Sequence, residues 1–156
     1  MTLQTSRIVI ADSSCFILLF KIGGLNLLKE LFDEIITTKE VQKECGDIIP
    51  EWVITKSSED KYRQKLLEVN LGSGESSAIA LAIEIPESLL VLDDYKARQI
   101  AKRIGLRITG TLGIIIHAKA EGHIDSVSSL IEKIQQTNFR LSEDLIRMIK
   151  TTAGEE

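Results

Sequence analysis

Short β-branched or apolar runs alternate with segments of helical period along most of the chain. Arg7 to Ala11 (RIVIA) is the first such run and predicts a strand, closed by the polar Asp12-Ser13-Ser14. An apolar helix begins in CFILLF and is interrupted at Gly23-Gly24. LNLLKELF then resumes the helical spacing, with Leu25, Leu28 and Leu31 three apart. Glu34 to Thr38 (EIITT) predicts a second strand, and Lys39 to Cys45 a short helix that breaks at Gly46 and Pro50. Trp52 to Thr55 predicts a short third strand, after which Ser57-Ser58 offers an N-cap to a charged helix over Glu59 to Val69. LGSGESSAIALAIEIP is a glycine-rich turn leading into an apolar helix that Pro86 ends. Leu89 to Leu92 (LLVL) predicts a buried strand, closed by Asp93-Asp94 and followed by an amphipathic helix over Tyr95 to Ile104. A last strand at Leu106 to Thr109 gives way at Gly110-Thr111 to a helix through Lys119. Helices near Ser126 to Thr137 and Ser142 to Thr151 complete the pattern, and Ala153 to Glu156 is expected to be a mobile tail.

This alternation predicts an α/β fold: a three-layer α/β/α sandwich with a central parallel sheet, formed as one domain from the 156 residues. In open parallel sheets, ligands bind beyond the carboxyl ends of the strands, where the connections diverge. The rule singles out Asp12 after the first strand, Asp93 and Asp94 after LLVL, and Thr109 and Thr111 at the last strand. Glu44 lies three residues after Val41 on a short helix; if Val41 packs inward, Glu44 leans toward the same edge, with Glu40 as its rival one turn away. Glu75 falls in the first turn of the helix that starts near Ser73, where it complements the helix dipole and stays close to the open edge of the turn.

Composition narrows the chemistry. Hydrophobic residues are 44% and charged residues 27%, which places the chain among folded globular domains rather than disordered ones. A net charge of −4 argues against holding nucleic acid by broad neutralisation of phosphates, so any such contact must be local or bridged by metal. The longest apolar stretch, Cys15 to Phe20, falls far short of the roughly 20 residues of a bilayer span. Neither membrane association nor a signal peptide is expected, and a cytoplasmic protein is. Cys15 and Cys45 lack zinc spacing and read as reduced packing residues. Gathered carboxylates repel and raise one another's pKa, a penalty that a divalent cation removes. Oxygen-only ligands favour Mg²⁺ or Mn²⁺, which can present an activated water to a phosphodiester. That chemistry needs no Ser, Cys or His nucleophile, in keeping with only two histidines.

The runs IVIADSSCFILLFKIGGLNLLKELF, EIITTKEVQKE, GSGESSAIALA and LLVLDDYKARQIAKRIGLRITGTLGIIIHAKAEG resemble the PIN-domain family, in particular its VapC-like branch. The likeness runs from Arg7 to about Gly154, and DDYKARQIAKRIGLRITGTLG is its most distinctive part. It implies a parallel sheet between helices and a metal-dependent endoribonuclease acting on RNA with Mg²⁺ or Mn²⁺. By that likeness the catalytic acids are Asp12, Glu44, Glu75 and Asp94, with Asp93 close enough in register to compete. Asp12, Glu75, Asp94 and Asp93 would hold the metal, and Thr109, Thr111 and Ser13 would give polar support. If the protein is the toxin of a toxin–antitoxin pair, a separate antitoxin chain is expected to block the cleft; a homodimer formed through the helices is expected as well. Two departures stand out: Cys15-Phe16 occupies the place where a proline is common, and Leu92 that of a frequent threonine. Two other readings remain beside this one. One is a PIN fold that binds RNA or a protein without cutting. The other is a receiver-like signalling domain, which would need an acidic pair after the first strand and a lysine after the last, and the chain has neither.

Overall fold

Within a strand, successive side chains point to opposite faces, and here both faces are apolar. In the computed structural model, which describes residues 7–155, five strands form one all-parallel sheet in the order β3-β2-β1-β4-β5. They are β1 (Ile8–Ala11), β2 (Glu34–Thr38), β3 (Ile54–Lys56), β4 (Leu89–Val91) and β5 (Ile108–Thr109). Val9 pairs in register with Ile35 and Leu89, and Ile10 with Ile36 and Leu90. Rows of like-facing side chains therefore cross the sheet: the Val9 row enters one core and the Ile10 row the other.

Helices must cover both. On the Val9 side lie α1 (Ser13–Lys21), α2 (Asn26–Leu31), α7 (Thr111–Ala120), α8 (Val127–Gln135) and α9 (Glu143–Thr152). On the Ile10 side lie α5 (Ser73–Glu84) and α6 (Tyr95–Ile104), whose small Ala78, Ala82, Ala97 and Ala101 allow close approach to the sheet. Between β2 and β3, α3 (Lys39–Cys45) buries Val41 and lies against both α1 and α5, while α4 (Lys61–Glu68) packs on α5. The result is the three-layer arrangement that the alternation predicts. Among the described residues, no helix is long and apolar enough to cross a membrane.

Several boundaries differ from the sequence expectation. The third strand is Ile54–Lys56 rather than Trp52 to Thr55, because Trp52 and Val53 turn toward the core and pairing with β2 begins at Ile54. The last strand keeps only Ile108 and Thr109. The charged helix begins at Lys61 and is capped by Asp60, whose side chain accepts from the Arg63 N–H at 3.0 Å. Ser58 is buried instead and donates its hydroxyl to Gln64 Oε1 at 3.0 Å. α6 ends at Gly105, whose φ of +95° is a left-handed cap that glycine adopts without strain.

Glu155 accepts hydrogen bonds from the Val127 and Ser128 N–H groups (2.7 and 3.0 Å) and pairs with Lys119 Nζ at 2.7 Å. The first turn of a helix has unpaired N–H donors that a carboxylate satisfies, and this partner stands almost thirty residues away, beyond any local reading. Glu156, the last residue of the expected tail, lies outside the described residues.

Candidate active site at the carboxyl edge of the sheet

The strand order reverses between β1 and β4: β2 and β3 lie to one side and β5 to the other. Diverging connections open a crevice there, and Asp12 sits in it. It ends β1 in extended conformation as the N-cap of α1, yet its side chain makes no cap bond to that helix. Its N–H donates to the Val91 carbonyl at 3.3 Å, which ties it to the end of β4. The residue is 3% exposed, and Oδ1 has no hydrogen-bond partner. Burial pushes its pKa from 3.8 up to about 7; the charges of Glu75, Glu44 and Asp93 push the same way, and the Ser13 N–H opposes them. Those three acids share its field.

Glu75 stands half-buried in the first turn of α5. Burial raises its pKa, with Asp94 and Glu44 adding to the effect and the Gly72 backbone opposing it. Glu44 reaches in from the last turn of α3, and its carboxylate lies directly over Gly74, where a Cβ would collide with it. This is the close approach that demands a glycine at 74. Glu40 is turned away, its carboxylate taken by Gln64 Nε2 at 2.6 Å. Of the two candidates on α3, Glu44 therefore faces the crevice.

A relay of buried hydroxyls fixes this approach. Thr38 caps α3 by accepting from the Val41 N–H at 3.2 Å and meets Ser77 Oγ at 2.6 Å; Ser77 in turn donates to the Gly74 carbonyl at 2.7 Å. Thr37 donates to the Ala11 carbonyl at 2.9 Å and locks the end of β2 to that of β1. The sequence reading did not single out Thr38 or Ser77. Thr38, a threonine between strand and helix, carries the signal of an N-cap; Ser77 carries none.

The adjacent aspartates part company. Asp93 is half-buried and accepts from the Thr111 N–H (2.8 Å), the Thr111 hydroxyl (2.6 Å) and the Ser14 hydroxyl (3.0 Å). Asp94 is exposed, caps α6 through the Ala97 N–H at 2.9 Å, and acts on Glu75. Asp94 thus caps α6 and Asp93 takes the first N–H of α7, and Asp93 is the one felt by Asp12. Thr111 reaches Asp93 through both its N–H and its hydroxyl. Of the two serines after β1, Ser14 is the one that donates to Asp93, and Thr109 turns toward Gly110 and Gly113. Burial keeps both cysteines neutral, pushing Cys45 to about 11 and Cys15 higher still.

Among the described residues, no three Asp, Glu, His or Cys side chains stand close enough to hold one ion by themselves. The donor set still suits a hard dication: every donor is oxygen, and one buried carboxylate oxygen lacks a partner. Magnesium takes only one or two carboxylates directly and keeps several waters, so a loose ring of acids accommodates it.

A family profile described as a PIN domain matches residues 8–155. No curated protein matches the chain.

Proposed function

The chain belongs to the PIN-domain family, a family generally of nucleases, and on that premise we propose that it is a metal-dependent endoribonuclease working in the crevice around Asp12. The observation that carries this reading is the Asp12 carboxylate, buried with an unpartnered oxygen in the field of three other acids. An isolated buried carboxylate is expensive, and a dication offsets both the burial and the repulsion.

Asp12, Glu75, Asp93 and Asp94 would hold Mg²⁺ or Mn²⁺, and Glu44 would complete the acidic ring. When bound, the ion supplies positive charge to the phosphodiester and activates water as the nucleophile. Asp12 is the rigid element, because strand, helix and the β4 contact all fix its backbone. Thr111 and Ser14 hold Asp93 in one orientation. Glu75, half-buried in the first turn of α5, would bring a second carboxylate to the ion beside Asp12. Among the described residues no three acids stand close enough to hold an ion by themselves, which leaves a second reading, a PIN fold that binds RNA without cutting it.

The likeness of DDYKARQIAKRIGLRITGTLG to the VapC-like branch supports a toxin role, with an antitoxin chain closing the crevice. A homodimer would have apolar surface to cover on α4 and its C-cap, where Tyr62, Leu66 and Val69 are 74%, 60% and 77% exposed at helical spacing.

The test is cleavage of single-stranded RNA with Mn²⁺, Mg²⁺ or EDTA by wild type and Asp12→Asn. Cleavage should require the metal and fall by orders of magnitude in the variant. Equal cleavage by both proteins would reject the mechanism, and binding without cleavage would favour the second reading.

A further inference from the structure

A second cavity, of about 500 Å³, opens beside the crevice and shares Asp93 as a wall. Arg98 and Arg140 bring cations to it, and Leu112, Phe139 and Leu145 line an apolar side. Its size lies within the roughly 300–1,000 Å³ of small-ligand sites, and an apolar wall with a few placed charges is their usual make-up.

The acidic crevice poses a problem for any polyanion. A single dication offsets two negative charges, whereas Asp12, Glu44, Glu75, Asp93 and Asp94 bring more, so a nucleic acid needs cations close by to stay in place. Arg98 is already oriented for this: Nη1 donates to the Leu92 carbonyl at 2.8 Å, which anchors the guanidinium and leaves the rest of its fork of donors available. Two glycines keep the space open. A Cβ on Gly110 would stand 3.0 Å from Asp93 Oδ1 and 3.2 Å from Arg98 Nη1, and one on Gly113 would overlap the Thr109 hydroxyl. The bare backbone therefore lies where carboxylate and guanidinium face the same gap.

We propose that this cavity is the subsite for the nucleotide next to the scissile bond, with Arg98 and Arg140 holding its phosphate and the Leu112, Phe139 and Leu145 wall receiving its base. The nature of the ligand rests on the nuclease reading; the chemistry of the cavity does not. Phe139 and Arg140 come from the segment between α8 and α9, so the end of the chain helps to select the substrate.

Binding of adenosine and uridine 5′-monophosphates to the EDTA-treated full chain, measured by calorimetry, tests this apart from catalysis. Wild type and Asp12→Asn should both bind them. Arg98→Ala and the exposed Arg140→Ala should each weaken binding roughly tenfold or more, as loss of a charge-assisted hydrogen bond does. Arg98→Lys should recover only part of the loss, and Arg63→Ala, on α4, should leave binding unchanged. With RNA as substrate, Arg140→Ala should raise KM and leave kcat near wild type. No binding by wild type, or equal binding by the arginine variants, overturns the subsite even where metal-dependent cleavage stands. Inorganic phosphate binding as tightly as the nucleotides overturns the role of the apolar wall. Arginine-dependent nucleotide binding together with equal cleavage by wild type and Asp12→Asn would keep the subsite and sink the nuclease mechanism.

Discussion

Replacing Asp12 by asparagine removes a negative charge from a place where the metal-free fold bears it badly. In the unfolded chain the carboxyl ionises near 3.8; in the folded protein, burial first and then Glu75, Glu44 and Asp93 carry that value to about 7. Each pH unit between the two values is worth about 1.4 kcal/mol, so holding the anion in the apo fold costs about 4 kcal/mol. The sign follows from proton counting. Between the two values the folded state keeps a proton that the unfolded state has released, so stability falls as pH rises and levels off above 7. The asparagine side chain has nearly the same shape and cannot ionise. Urea denaturation in EDTA from pH 4 to pH 8 should therefore show a steeper loss in wild type than in Asp12→Asn, and the variant should be the more stable protein at pH 8. For a chain of this length, the difference corresponds to on the order of 10 °C in Tm. Adding Mn²⁺ at pH 8 should stabilise wild type and do little for the variant. Parallel pH profiles for the two proteins would refute the account of Asp12 as a buried, uncompensated charge.

Other outcomes follow from particular contacts. Gly74→Ala should push the Glu44 carboxylate aside, seen as slower metal-dependent RNA cleavage than wild type. Thr38→Val removes both the α3 cap and a link of the hydroxyl relay, and should cost about 1–3 kcal/mol in urea denaturation together with activity. Glu155→Gln should loosen the junction of α8 with the tail, seen as faster limited proteolysis after α9. Its partners, Lys119 first, hold the Glu155 pKa below the usual carboxylate range, so the wild-type contact should be present near neutrality and lost in acid. Raising the concentration of Mg²⁺ should move the acidic limb of the pH–activity profile to lower pH, since the cation competes with the proton for Asp12.

Much of this architecture is legible along the chain. Strands β1, β2 and β4 announce themselves as short β-branched or leucine runs, and Asp12 and Asp93 stand where such runs end. The edge strand β3 is less legible, because its three residues are exposed and bear no apolar alternation. Asp93 and Asp94 are neighbours of one chemical type, and only the position of Thr111 relative to β4 separates their roles. Glu44 and Glu40 have equal claims until Gln64 takes Glu40.

The order of strands and helices, the two apolar faces of the sheet and the placing of acids at strand ends follow from local periodicity and from where each run stops. Which acids share a field, which hydroxyls orient them, and which arginines line the cavity beside Asp93 depend on tertiary distances. Coulomb and hydrogen-bond energies change steeply over a few ångströms, and segments tens of residues apart reach that range only when the sheet, with its layers of helices, has closed around them.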